Sequence, residues 1–208
     1  GGVRGVTLDD GDELIKALLT DGNQEIMLAT AKGLASRFSE SDVRVLGRAT
    51  RGSKGITLVG TDRVVGGIVA EPKKAILTVT ENGFGKRTPV EEYRLIRRGG
   101  KGVINIQENE RNGKVIAVAS VDNEDEIMVI SKKGITIRTR AQDISQIGRN
   151  TQGVIVMRLT EGDFVVSATK VYIEEKAEDD KIEPPTSVSE QMGSSPEDAL
   201  KDTKKEEE

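Results

Sequence analysis

Six arginines recur at fixed offsets in this 208-residue chain. Arg37, Arg87 and Arg138 stand four residues after Gly33, Gly83 and Gly134, and Arg48, Arg98 and Arg149 stand fifteen after the same glycines. A guanidinium is a permanent cation whose planar fork of donors matches phosphate and carboxylate oxygens. An arginine register of this kind is chemistry for holding phosphates. The surroundings agree. Residues 36–52, 86–102 and 137–153 together hold 13 basic and 5 acidic side chains, a net of +8. Residues 1–173 carry only +4, so the remainder of that part is acidic. In a repeat array, equivalent positions share one face, and a stacked basic path is the electrostatic footprint of a nucleic-acid binder. The candidate phosphate-contacting residues are Arg37, Arg44, Arg48, Arg51, Lys54, Lys86, Arg87, Arg94, Arg97, Arg98, Lys101, Arg138, Arg140 and Arg149. For the offset-four set a structural role competes, in which each arginine braces its own hairpin through Asp42, Glu92 or Asp143.

The path points to duplex. Single-strand binders stack bases on aromatic rings, and no aromatic is common to the three basic stretches. Tyr93 fills the slot of Val43 and Ile144, which makes it a core residue. Arginine, lysine and glycine without aromatic platforms suit the closely spaced charge of duplex phosphates, which carry no base information. Glycines such as those in Arg97-Arg-Gly-Gly-Lys-Gly102 let backbone amides approach phosphate. For Gly52 and Gly153 plain turn geometry is an equal alternative.

Catalytic chemistry finds no support. Gly47-Arg-Ala-Thr-Arg-Gly-Ser-Lys54 has the glycines of a phosphate loop but reads Ser-Lys where Lys-Ser or Lys-Thr is needed. Asp9-Asp-Gly-Asp-Glu13 and Asp122-Asn-Glu-Asp-Glu126 lack the calcium-loop ligand spacing and read as turns. With no His and no Cys, histidine general bases, thiolate metal sites and disulfides are excluded. No catalytic residue, metal ligand or cofactor site is expected in the chain. No apolar run approaches the roughly 20 residues a spanning helix needs, and the expected location is the cytoplasm.

The elements that must position the arginines follow from a period of about 50 residues. Offset one is apolar (Leu34, Phe84, Ile135), offset ten is apolar (Val43, Tyr93, Ile144), and offset nineteen is glycine (Gly52, Gly102, Gly153). A partial unit opens the chain, since Gly2–Leu8 matches Gly52–Leu58. Apolar runs at 26–30, 75–80 and 126–130 precede each anchor glycine, and Asn82-Gly83 between such runs predicts a hairpin with two left-handed turn residues. After the turn, Ile135, Ile137 and Thr139 alternate with Thr136, Arg138 and Arg140. Runs at 64–69 and 115–121 supply a third strand. The fold class is therefore all-β, built of radial blades. Residues 1–173 form a partial blade and three whole ones, and blades are expected to precede them. Residues 174–208 hold 13 acidic and 5 basic side chains with few large apolar ones, the composition of a disordered tail.

Taken together, Ile147–Val154, Asn82–Thr88, Glu110–Gly113 and Arg97–Gly102 closely resemble the C-terminal domain of DNA gyrase A. The resemblance spans residues 1 to about 173 and implies a β-pinwheel, a propeller-like array in which each blade exchanges a strand with its neighbour. It further implies that duplex DNA wraps on a basic rim, without sequence specificity, in an ATP-dependent type II topoisomerase that introduces negative supercoils. The implied partners are duplex DNA, the rest of gyrase A, and gyrase B in a heterotetramer on the chromosome, with ATP and Mg bound elsewhere in that assembly. The family's glycine-rich box begins with Gln, where this chain has Ile96, so 96–102 reads as a box-like copy and the box itself is expected further upstream. The alternatives are the corresponding C-terminal domain of a topoisomerase IV, which binds or bends DNA, and a protein-binding propeller.

Overall fold

The computed structural model describes residues 2–48 and 50–172. Segment 174–208, expected as a disordered tail, lies outside the described residues. Three antiparallel hairpins form the frame: β1 (Glu25–Thr30) with β2 (Leu34–Ser39), β4 (Ala75–Thr80) with β5 (Phe84–Pro89), and β8 (Glu126–Ser131) with β9 (Thr136–Arg140). In each turn the anchor glycine returns its N–H to the carbonyl three residues earlier, at 3.0–3.1 Å. Only the glycines are left-handed, with φ of +79°, +79° and +85° at Gly33, Gly83 and Gly134. Asn82 is not, which corrects the expectation of two left-handed residues. A longer loop closing on one left-handed glycine meets the strand twist equally well.

The third strands lie where periodicity placed them. β3 (Val64–Val69), β7 (Val115–Val121) and β11 (Val165–Val171) pair with β1, β4 and β8. β7 also packs beside β3 and β11, so these strands form the inner edge of the array. The fourth strand is borrowed. β6 (Val103–Ile104) follows the second hairpin but pairs with β2 of the first, and β10 (Val154–Ile155) follows the third hairpin but pairs with β5. The sheet orders are thus β3-β1-β2-β6, β10-β5-β4-β7 and, among the described residues, β11-β8-β9. This is the strand exchange of a β-pinwheel, with the borrowed strands outermost.

The core lies between blades. Met27, Ala35, Ile68, Ile76, Val90 and Tyr93 fill the space between blades one and two, and Leu77, Val79, Ile127, Val129, Ile144 and Met157 fill the next. β4 therefore has all six residues buried, whereas β9 alternates exposed and half-buried. Gly33 and Gly83 belong to the same packing. A Cβ on either would lie 2.3 Å from the Ile106 carbonyl or 2.2 Å from that of Met157, in the residues following the borrowed strand.

Candidate nucleic-acid interface

Each hairpin ends in a single 3-10 turn, at Glu40–Asp42, Val90–Glu92 or Ala141–Asp143. The last turn residue is followed by Val43, Tyr93 or Ile144, whose N–H closes the turn. From there the chain crosses the rim toward the outer strand. Arg44, Arg48, Arg51 and Lys54 are exposed on the first of these loops, and Arg94, Arg97 and Lys101 on the second. Arg51 meets Asp9 at 3.3 Å, with both side chains largely in solvent. Such a pair contributes little and leaves the cation available.

The offset-fifteen arginines join successive loops. Arg98 Nε donates to the Asp42 carbonyl (2.7 Å) and Nη1 to that of Lys54 (3.0 Å). Arg149 Nη1 makes the equivalent contact one blade on, donating to the Ile104 carbonyl at 2.8 Å, and its guanidinium lies 5.9 Å from the Tyr93 ring. Both arginines are half-buried. Their fork has five N–H donors, so donors remain for an anion on the solvent side. Arg48 is exposed. The second loop is further tied by Thr57, whose hydroxyl donates to the Gly99 carbonyl (2.6 Å) and whose N–H donates to that of Gly100 (2.8 Å). At Gly102 and Gly153, φ is +80° and +78°, and a Cβ would lie 2.4 Å from the Ala35 carbonyl and 2.8 Å from that of Gly85. Blade packing, rather than a phosphate, accounts for those two. Gly52 shares the left-handed backbone with open space around it.

The offset-four arginines point elsewhere. Arg37 donates to the Val90 and Tyr93 carbonyls of the next blade, both at 2.8 Å, and pairs with Glu25. Arg87 is only 6% exposed. It donates to the Ile144 carbonyl (2.8 Å), Asn123 Oδ1 (2.6 Å) and, at 3.4 Å, the Gln142 carbonyl. Burial pushes its guanidinium below the usual value, and the charge of Asp143 opposes that shift. Each therefore clamps the 3-10 turn of the following blade. The expected brace to Asp42, Glu92 or Asp143 is not formed: Arg37 and Arg138 pair instead with Glu25 and Glu126 on the preceding strand of their own hairpins, while Arg37 and Arg87 also reach backbone carbonyls of the next blade. Arg138 is exposed and pairs with Glu126 on the neighbouring strand; Arg140 is also exposed.

Lys86 is a second correction. It is fully buried, with Nζ donating to the carbonyls of Gly148 (2.6 Å) and Arg149 (2.5 Å) and to Thr151 Oγ1 (3.1 Å). Lys86 and Arg87 are thus buried and Arg37 is half-buried, with their donors directed to acceptors of the neighbouring strand and the next blade. Periodicity missed Arg111, which is exposed, stacks over Phe84 at 4.3 Å and donates to Gln152 Oε1 at 3.1 Å. It lies outside the recurring basic window and has no basic equivalent at Thr61 or Gly162, the same offset in the other blades, so no recurring signal marks it. Among the described residues no helix is long and apolar enough to cross a membrane.

Comparison with known proteins gives one family. The family described as DNA gyrase C-terminal domain, beta-propeller, matches residues 1–21, 24–71, 74–122 and 125–171, the last three each holding one hairpin and its third strand. DNA gyrase A of Pseudomonas aeruginosa is 38% identical over 196 residues, covering 94% of this chain and 21% of that protein. Its counterpart from Clostridium acetobutylicum is 46% identical over 189 residues, covering 91% and 22%. The chain thus spans about a fifth of the length of the curated relatives it matches. A solved DNA gyrase A C-terminal domain superposes with a TM-score of 0.77 at 30% identity, over 82% of this chain and 58% of that one. The C-terminal domain of a DNA topoisomerase IV gives 0.76 at 29%, over 80% and 52%.

Proposed function

Because the chain belongs to the family of DNA gyrase C-terminal, beta-propeller domains, we propose that it binds duplex DNA along its outer loops without reading base sequence. The observation that carries this reading is the rim itself. Exposed Arg44, Arg48, Arg51 and Lys54 on one loop continue into exposed Arg94, Arg97 and Lys101 on the next, with Arg98 of the second loop donating to the Asp42 and Lys54 carbonyls of the first unit. Arg149, Arg138 and Arg140 extend the candidate path to the third blade. Phosphates on a bent duplex would meet cations in succession, and the contacts so gained offset the cost of bending. In the longer protein such a wrap serves a type II topoisomerase that introduces negative supercoils using ATP. Its partners there are the rest of gyrase A, together with gyrase B, on the chromosome in the cytoplasm. The chain's own contribution is to hold and bend DNA, and no bond is made or broken by its residues in this reading.

A salt titration of duplex binding tests it. Log affinity should fall linearly with log salt, by roughly 0.9 for each phosphate neutralised, and equally for unrelated sequences. A flat dependence, or tighter binding to single strands, would remove the proposal. The near-equal likeness to a topoisomerase IV domain supports a second reading, in which the longer protein binds or bends DNA without supercoiling it. Conversion of relaxed circles to negatively supercoiled ones by the full-length assembly separates the two.

A further inference from the structure

Lys86 occupies a place the DNA-binding reading does not explain. It replaces Ser36 of blade one and Ile137 of blade three at the same offset, so the fold does not require a cation there. A buried ammonium is costly unless its donors are satisfied. All three of its N–H donors have acceptors within 3.1 Å, and all three acceptors belong to residues 148–151 of the next blade. No carboxylate forms an ion pair with it among the described residues. The cage is the 148–151 turn, two backbone carbonyls and the Thr151 hydroxyl, and the same turn carries Arg149. That arginine is also held by the Ile104 carbonyl through its guanidinium and by the Glu92 carboxylate through its N–H at 3.1 Å.

We propose that Lys86 is a positioning residue: its ammonium locks the 148–151 turn to strand β5 and so sets Arg149 at the rim for a DNA phosphate. The inference rests on the duplex-binding reading for its consequence, but the lock itself does not. The lock stands on fit between donors and acceptors. An ammonium offers three N–H donors to three acceptors, whereas a neutral amine offers two and turns a lone pair toward an oxygen. Burial lowers the Lys86 pKa to about 8. The charged groups facing it are Glu92, from the 3-10 turn of its own blade, which raises the value, and Arg149, from the caged turn, which lowers it. The lock is thus mostly protonated at pH 7 and loses its third donor as pH rises through 8.

Three measurements on the 208-residue chain test the proposal. Amide hydrogen exchange across 148–152 reads the lock without DNA, and Lys86→Met should accelerate it locally. Affinity of the same variant for a random-sequence duplex at pH 7 should fall about fivefold, and its salt slope by about one. The loss should not add to that of Arg149→Gln in the double variant. Between pH 7 and 9 the unmodified chain should lose affinity, and Lys86→Met should not follow it. Should the methionine variant fail to fold, Lys86→Ser, which installs the residue of blade one, takes its place. Unchanged exchange across 148–152 overturns the lock. Accelerated exchange with unchanged affinity, or losses that add with Arg149→Gln, overturns the link to phosphate. If the unmodified chain does not bind duplex at all, the DNA reading fails while the exchange result still decides the lock.

Discussion

Recurrence of an arginine in a repeat does not say which way it points. Offset four and offset fifteen look alike in the chain and differ in space. Arg87 is buried against three acceptors of the next blade, while Arg98 keeps part of its fork in solvent. Removing Arg87 leaves the Ile144 carbonyl and Asn123 with an unmet bond, at a cost of about 1–3 kcal/mol. Arg87→Gln should therefore lower the melting temperature and leave the salt slope of DNA binding intact. Arg98→Gln should do the opposite, reducing the slope by about one with little change in melting. Thermal melting and salt titration of both variants check this. A lost slope in Arg87→Gln with unchanged melting would reverse the assignment.

At the level of the element, the borrowed strand decides which glycines matter. Gly83 and Gly134 have the same left-handed backbone, but only Gly83 faces a neighbouring backbone, the Met157 carbonyl. Alanine at Gly134 meets open space and should cost only the conformational term, roughly 1–2 kcal/mol. Alanine at Gly83 adds a 2.2 Å approach that backbone must yield to, and β10 should detach from β5. Urea denaturation of Gly83→Ala and Gly134→Ala should differ by at least about 2 kcal/mol. Equal losses would mean that the exchange contributes little to stability. Packing between blades explains β4, whose six residues are all buried because a blade lies on each side.

Across the whole chain, charge is divided. The rim windows carry +8 and residues 174–208 carry −8. At physiological ionic strength the Debye length is about 8 Å, so this acidic segment influences the rim only by coming close to it. Removal of 174–208 should raise duplex affinity and leave melting unchanged. Equal affinity with and without the segment would show that its charge does not compete with DNA. This expectation rests on composition alone, since the segment lies outside the described residues.

The strands themselves were legible in the chain. Apolar runs set against the recurring glycines located β3, β4 and β7 to the residue, because short-range patterning is what strands and turns are made of. Family likeness supplied the exchange, which no local pattern carries: β6 and β10 are two residues each and pair with partners about 70 residues away. Tertiary structure alone decided which cations face solvent. Lys86 and Arg87 are adjacent in a basic stretch, yet both satisfy their donors on the carbonyls of the following blade. A backbone oxygen has no residue type, so nothing in the sequence could mark it as the partner of a charge.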